Sequence, residues 1–144
     1  QSQVYYDFRP ESEAVMRSKA DRGQSTCFVT LDNKPSVVAY CLAYPYPADR
    51  TAALDTVDPL PISPTDNIFV HDLAVQKASA GRGVAQALFG HLVTVARLEG
   101  YRTMSLVAVQ QAASFWRKMG FTPSTQAKVN DSYTSTATFM IRDL

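Results

Sequence analysis

The chain has little cysteine, little net charge and no long apolar run, and each shortage removes a class of protein. Two cysteines in 144 residues give no disulfide framework, and without a Cys/His cluster at ligand spacing no metal is expected. A formal net charge of +1 leaves no broad basic face. Nucleic acid is therefore not expected as a partner, and an anionic ligand would have to be held by local donors. No apolar run approaches the roughly 20 residues of a membrane span and no signal-peptide pattern opens the chain, so the expectation is a cytoplasmic protein with no membrane partner.

What is present reads as one compact domain over residues 1–144, with 46% hydrophobic and 19% charged residues. A chain of that length buries about two-thirds of its unfolded surface. Pro10 to Ala20, followed by Gly23, reads as a helix that starts almost at once, which leaves the strand before it short or absent. Thr26 to Leu31 and Ser36 to Ala43 read as a hairpin around Asp32-Asn-Lys-Pro35. A two-residue turn there sets Cys27 opposite Tyr40 and points Cys41 to the other face, which speaks against a disulfide. Tyr44 to Asp66 carries five prolines and no usable periodicity.

The most informative run begins at Asn67. Asn67-Ile-Phe-Val-His-Asp-Leu-Ala-Val75 is apolar and β-branched enough for a buried strand. Val84, Leu88, Leu92 and Val95 then repeat at helical spacing until Gly100 offers a stop. Between strand and helix stand Gly81 and Gly83. Two glycines at a helix start let backbone N–H groups approach an anion with no Cβ in the way, and the helix's unpaired donors and positive dipole end point at the same place. A pyrophosphate suits that turn. A Walker loop would need Gly-Lys-Ser/Thr, but Gly83 is followed by Val84 and Ala85. A dinucleotide fingerprint would need a third glycine near Gln86 and an acidic residue near Leu106, and has neither.

The run resembles the GNAT superfamily of acyl-CoA-dependent N-acyltransferases, whose cofactor motif is Gln/Arg-x-x-Gly-x-Gly/Ala between the fourth strand and third helix. Gly83 and Ala85 fill its last two named positions, with Ala80 where Gln or Arg is usual. Thr103 to Val109 then reads as the fifth strand, and Ala112 to Phe121 is similar to the family's FY-x-K-x-GF helix and turn. The likeness runs from about residue 5 to 142, and its wording is nearest to a bacterial, small-molecule subgroup. It implies an α/β fold: a mixed, mostly antiparallel sheet, splayed at a bulge between its fourth and fifth strands, with helices on both faces. Val109 stands near the family's frequent Asn, and Trp116 replaces the tyrosine that serves as general acid. An indole has no useful proton to give at neutral pH.

That family implies transfer from acetyl-CoA to a primary amine by direct attack in a ternary complex, without a metal. Backbone groups of Leu73, Ala74 and Val75 would pair with the pantetheine arm, while Ala80, Gly81, Arg82, Gly83, Val84 and Ala85 would hold the pyrophosphate. Lys77 and Lys118 are further cations for the cofactor's charged end, and Trp116 a wall of the pantetheine tunnel. His71 is the candidate base, since an unperturbed imidazole pKa of about 6.5 suits proton removal near neutrality. The alternative is a histidine satisfied by a neighbouring carbonyl. Strand alternation sets Phe69, His71 and Leu73 on one face and Val70, Asp72 and Ala74 on the other, so Asp72 joins His71 only if a bulge intervenes. Asp72 would then act through a water. Tyr133, at the start of the last strand around Thr134 to Ile141, is the candidate acid, and His91 is a surface residue.

The segment from Tyr44 to Asp66 is either a plain connection or a lid whose Tyr44, Tyr46, Asp49 and Asp55 meet the amine. The acceptor is open between a cationic small molecule and a peptide amine, and edge strands leave a homodimer open. Two rival readings remain, a coenzyme A-binding module with weak or lost catalysis and a small domain with no coenzyme A site.

Overall fold

A computed structural model describes residues 10–57 and 64–144, so the expectation of a short or absent first strand falls outside the described residues, as does part of the proline-rich segment. Helix α1 spans Glu13–Arg22. It starts three residues later than the sequence pattern predicts because Ser12 serves as the N-cap, its Oγ accepting from the Val15 amide at 3.3 Å. Gly23 closes the helix by donating to Lys19 O and Ala20 O. Here glycine is required by proximity, since a Cβ would lie 2.0 Å from Ala43 O.

Strands β1 (Phe28–Leu31) and β2 (Val37–Pro45) form the expected hairpin, but Cys27 does not face Tyr40. Phe28 faces Cys41 and Val29 faces Tyr40. Two steps shift the register: the Asp32 carboxylate accepts from the amides of Lys34 and Ser36 at 2.8 and 2.9 Å and lengthens the turn, and Val38 is an extra residue of β2 between the pairs Leu31/Val37 and Thr30/Ala39. Both thiols are free, and Cys27 Sγ donates to Ala43 O at 3.2 Å.

Strand β3 (Asn67–Val75) pairs antiparallel with β2 and parallel with β4 (Thr103–Ala108). Helix α2 (Val84–Leu98) covers one side of the sheet, burying Leu88, Phe89, Leu92, Val93 and Ala96. Helix α3 (Ala113–Lys118) ends where Arg142 donates to Met119 O at 2.7 Å. Strands β5 (Thr122–Pro123) and β6 (Thr138–Asp143) complete a six-stranded sheet in the order β1-β2-β3-β4-β6-β5. The last strand begins later than its sequence suggests. Residues 124–137 are held in turns, through Ser132 N to Asn130 Oδ1 at 2.9 Å and Ala137 N to Thr134 O at 3.0 Å. Tyr133 therefore sits in a loop before β6 and does not open the strand.

Two features of β3 prepare the site. First, Leu42 pairs with Asp72 and Ala43 with Val70, which leaves His71 as the extra residue of a β-bulge. The bulge resets the alternation. Ile68 and Val70 before it, and Leu73 and Val75 after it, pack into the same core with α2. The expectation that Leu73 shares a face with Phe69, and Ala74 with Val70, fails for this reason. Second, the parallel ladder runs only from Asn67/Thr103 to Val70/Leu106, after which β3 continues to Val75 without β4 beside it. Buried Asn67 pins the joined end. Its Nδ2 donates to Tyr46 O and Ser105 Oγ, and its Oδ1 accepts from Thr103 Oγ1, all at 2.8 Å.

Candidate active site

Where β3 and β4 part, the sheet opens into a cleft of about 220 Å³. Its walls include Leu73, Leu106, Val107, Phe115 and Trp116, with Glu11, His71, Asp72, Gln110 and Tyr133 as the polar members. A second cleft of about 280 Å³ lies along the turn before α2, against Val75, Ala80, Gly81, Gly83, Val84 and Ala85. Phe115 lines both. Gly81 and Gly83 have φ of 75° and 77°, and a Cβ on either would meet no protein atom within 4 Å. Glycine is needed there for its left-handed backbone, and the space in front of it is open. Gly83 caps α2, whose first amides have no partner four residues back and are presented to that space. The expected cofactor residues divide accordingly: Leu73 and Trp116 line the first cleft, and Val75, Ala80, Gly81, Gly83, Val84 and Ala85 the second. Ala74 is buried, Arg82 and Lys77 are exposed beside the turn, and neither cleft includes them. Lys118 and His91 are exposed, His91 edge-on to Phe28.

The bulge brings the candidate base residues together. His71 and Asp72 both line the first cleft. Asp72 accepts from Tyr40 OH at 2.5 Å. The His71 ring is enclosed: its Nε2 lies 2.7 Å from Glu11 Oε2 and its Nδ1 3.2 Å from Tyr44 OH, with no exposed side-chain surface. Glu11 is a site residue that sequence reasoning missed. It lies 60 positions before His71 and just ahead of α1, with no motif around it. Its Oε1 accepts from the Asp55 amide at 2.8 Å and lies 3.7 Å from Lys19 Nζ. Burial alone would raise the Glu11 pKa, but the hydrogen bond and charge of His71, the Asp55 amide and Lys19 together hold it at about 2.

The segment after β2 is held as a wall where bonds at residues 52–56 tie it down. Leu54 N donates to Ser132 Oγ at 2.9 Å, Tyr133 OH donates to Ala52 O at 2.9 Å, and Lys19 Nζ donates to Thr56 O at 3.1 Å. Of the residues expected to meet an amine from this segment, Tyr44 is fully buried within β2, Asp55 accepts from Ser12 N, and Asp49 lies 3.5 Å from Arg50. Among the described residues of the segment, Leu54 is the one that reaches the cleft. Among the described residues no group of three or more His, Cys, Asp or Glu could hold a metal.

Comparison with known proteins agrees with this architecture. The fold is similar to Ard1 from Thermoplasma volcanium, with a TM-score of 0.73 at 17% identity over 96% of this chain and 83% of that one. It is similar also to the ribosomal-protein-S18-alanine N-acetyltransferase from Escherichia coli, with a TM-score of 0.69 at 19% identity over 99% and 81%. A chain of the NatC complex bound to Gag peptide and CoA gives 0.71 at 20% identity over 99% and 87%. No curated protein matches the chain in sequence. These neighbours share the open mixed sheet with helices around it, and residues 2–121 match the sequence model of the acetyltransferase (GNAT) family, so the chain belongs to that family.

Proposed function

We propose that the chain transfers an acetyl group from acetyl-CoA to a primary amine by direct attack in a ternary complex. The observation that carries this reading is that the two clefts adjoin, with Phe115 lining both. The β3 edge at Leu73 to Val75, left without a parallel partner, offers strand-like pairing to an extended amide-bearing arm, and Phe115 joins that edge to the open glycine turn. An extended arm ending in a pyrophosphate fits both halves, with Gly81, Gly83 and the first amides of α2 at the charged end. Acetyl-CoA, when bound, supplies a thioester carbonyl as the acetyl donor.

This chain's own residues have three tasks. The walls at Leu106, Val107 and Trp116 exclude water from the reacting centre. The bulge takes up the proton that the amine loses as its nitrogen bonds to the acetyl carbon. Asp72 does so through a water, while His71, whose Nε2 donates to the Glu11 carboxylate and whose Nδ1 lies against Tyr44 OH, holds the cleft wall in place. Tyr133, beside the same cleft, is the candidate donor to the departing sulfur as the C–S bond breaks, once its hydroxyl turns from Ala52 O, to which it donates at 2.9 Å. The acceptor is a small-molecule amine or a peptide amine. Neighbours named for peptide substrates, such as the S18-alanine enzyme and the Gag-bound NatC chain, favour testing peptides first.

Trp116 in the usual tyrosine position favours a second reading, a coenzyme A-binding module with weak catalysis. Calorimetric titration with acetyl-CoA, desulfo-coenzyme A and ATP tests the site. Binding of both coenzyme A compounds but not ATP is expected, with Gly83→Glu abolishing it. Binding without turnover on any amine would select the second reading, and absence of binding would remove both.

A further inference from the structure

Two carboxylates line the first cleft, and the protein already engages both. Glu11 is 8% exposed, with His71 Nε2 at 2.7 Å, the Asp55 amide at 2.8 Å and Lys19 Nζ at 3.7 Å from its oxygens. Asp72 is 6% exposed and accepts from Tyr40 OH. Around them the wall is apolar, with Leu54, Leu106, Val107, Val109 and Trp116 among its members. A methylene chain gains from burial against such a wall, whereas a second ammonium would lose its water and meet no uncompensated negative charge. Leu54 is the apolar member that the segment after β2 contributes, and its backbone is held from several sides. Its own amide donates to Ser132 Oγ at 2.9 Å, Lys19 Nζ donates to Ala53 O at 3.3 Å and Thr56 O at 3.1 Å, and Asp55 is bonded to Glu11 and to Ser12.

We infer that the acceptor is a monoamine carried on an apolar body, and that Leu54 is the specificity-determining residue that packs against this body. The apolar body is either that of a small amine or the first side chain of a peptide, and polyamines and other multiply charged amines are disfavoured. The inference rests on the proposed acetyl transfer, because that reading is what places an amine in the cleft. Asp72 serves the reacting nitrogen, and Glu11 faces His71 and Lys19, so neither is left for a second cation. The bonds on both sides of Leu54 set its side chain in place before the acceptor arrives, which reduces the freedom lost on binding.

The test compares the unmodified chain with Leu54→Ala and Leu54→Asp on two matched pairs, n-hexylamine against 1,6-diaminohexane and norleucinamide against lysinamide. The members of each pair differ in a second ammonium. Measured are kcat/KM for all four, their binding to the desulfo-coenzyme A complex by NMR titration, which reads the acceptor site without turnover, and the thermal midpoint and acetyl-CoA dissociation constant as controls of folding. The unmodified chain is expected to favour the singly charged member by about tenfold or more, in the first pair for a small amine and in the second for a peptide. Leu54→Ala is expected to raise KM for that member about fivefold with little change in kcat, and Leu54→Asp to narrow the preference about tenfold by giving the second ammonium a partner. Equal use of both members of each pair by the unmodified chain, a preference that neither Leu54 variant moves, or failure of all four to bind the desulfo-coenzyme A complex would overturn the inference while leaving acetyl transfer standing. Failure of the unmodified chain to bind acetyl-CoA would remove the functional reading itself.

Discussion

Replacing Glu11 by glutamine should make the stability of this protein less sensitive to acid, and the size of the effect can be worked out from its surroundings. Glu11 is 8% exposed, with one oxygen 2.7 Å from His71 Nε2 and the other accepting the Asp55 amide at 2.8 Å. Burial opposes ionisation, yet His71, Asp55 and Lys19 hold the pKa at about 2 against an ordinary 4.5. At 1.36 kcal/mol per pH unit the fall is worth about 3 kcal/mol of folding stability. A depressed carboxylate stabilises above its unfolded pKa, so the contribution is complete above pH 4.5 and disappears as pH falls towards 2. Glutamine has the shape of the protonated acid and cannot ionise. Urea unfolding from pH 7 to pH 2.5 should therefore show the Glu11→Gln variant less stable by about 3 kcal/mol at neutrality, with the gap narrowing steadily below pH 4.5. A gap that stays constant across that range would refute the argument, since it would place the loss in packing and not in charge.

Three further substitutions probe the frame. Gly23→Ala puts a Cβ 2.0 Å from Ala43 O and 2.7 Å from Cys27 Sγ, so α1 must move off β2, and thermal unfolding should show a loss of about 3 kcal/mol or more. Asn67→Leu leaves Tyr46 O, Ser105 Oγ and Thr103 Oγ1 without their shared partner in a buried site, and chemical denaturation should register a loss of about 3 kcal/mol. Gly83→Ala meets no protein atom but forces alanine to φ of 77°, which should cost about 1–2 kcal/mol in a melt. An unchanged midpoint there would mean that the helix start relaxes to another conformation.

The parts of the fold written as periodicity were legible in the sequence. Asn67–Val75 and Val84–Leu98 fall where the apolar spacing puts them, because each buries a continuous apolar face and each ends on turn residues. Boundaries set by a side chain's hydrogen bond were not legible. Ser12 moves the start of α1, and the Asp32 carboxylate lengthens the β1/β2 turn, to which the extra residue Val38 adds a second step of register, and none of these has a hydrophobic signature. For the candidate site, the glycine turn was readable because a positive φ demands glycine locally. Glu11 and Leu54 were not, since they reach the cleft only through the docking of α1 and the segment at 51–57, contacts that no local pattern encodes.

One extra residue in β3 explains why the polar part of the site lies where the sheet opens. Without the bulge, strict alternation would send Asp72 and His71 to opposite faces, and Leu73 would leave the core that it shares with Val70. With it, the apolar residues on either side keep to the α2 side, while His71 and Asp72 both come to the cleft wall. The parallel ladder to β4 also ends at Val70, so the bulge lies directly beyond the last paired residue. The extra residue thus coincides with the parting of the strands, and a ligand entering there would meet free backbone edge and polar side chains together. His71 is then closed off from behind by Glu11 and Tyr44, groups contributed by the approach to α1 and by β2. Anything that loosens α1 from the sheet should therefore disturb the cleft wall before it disturbs the glycine turn. The polar wall of the first cleft is thus tied to the docking of α1, and the glycine turn to α2.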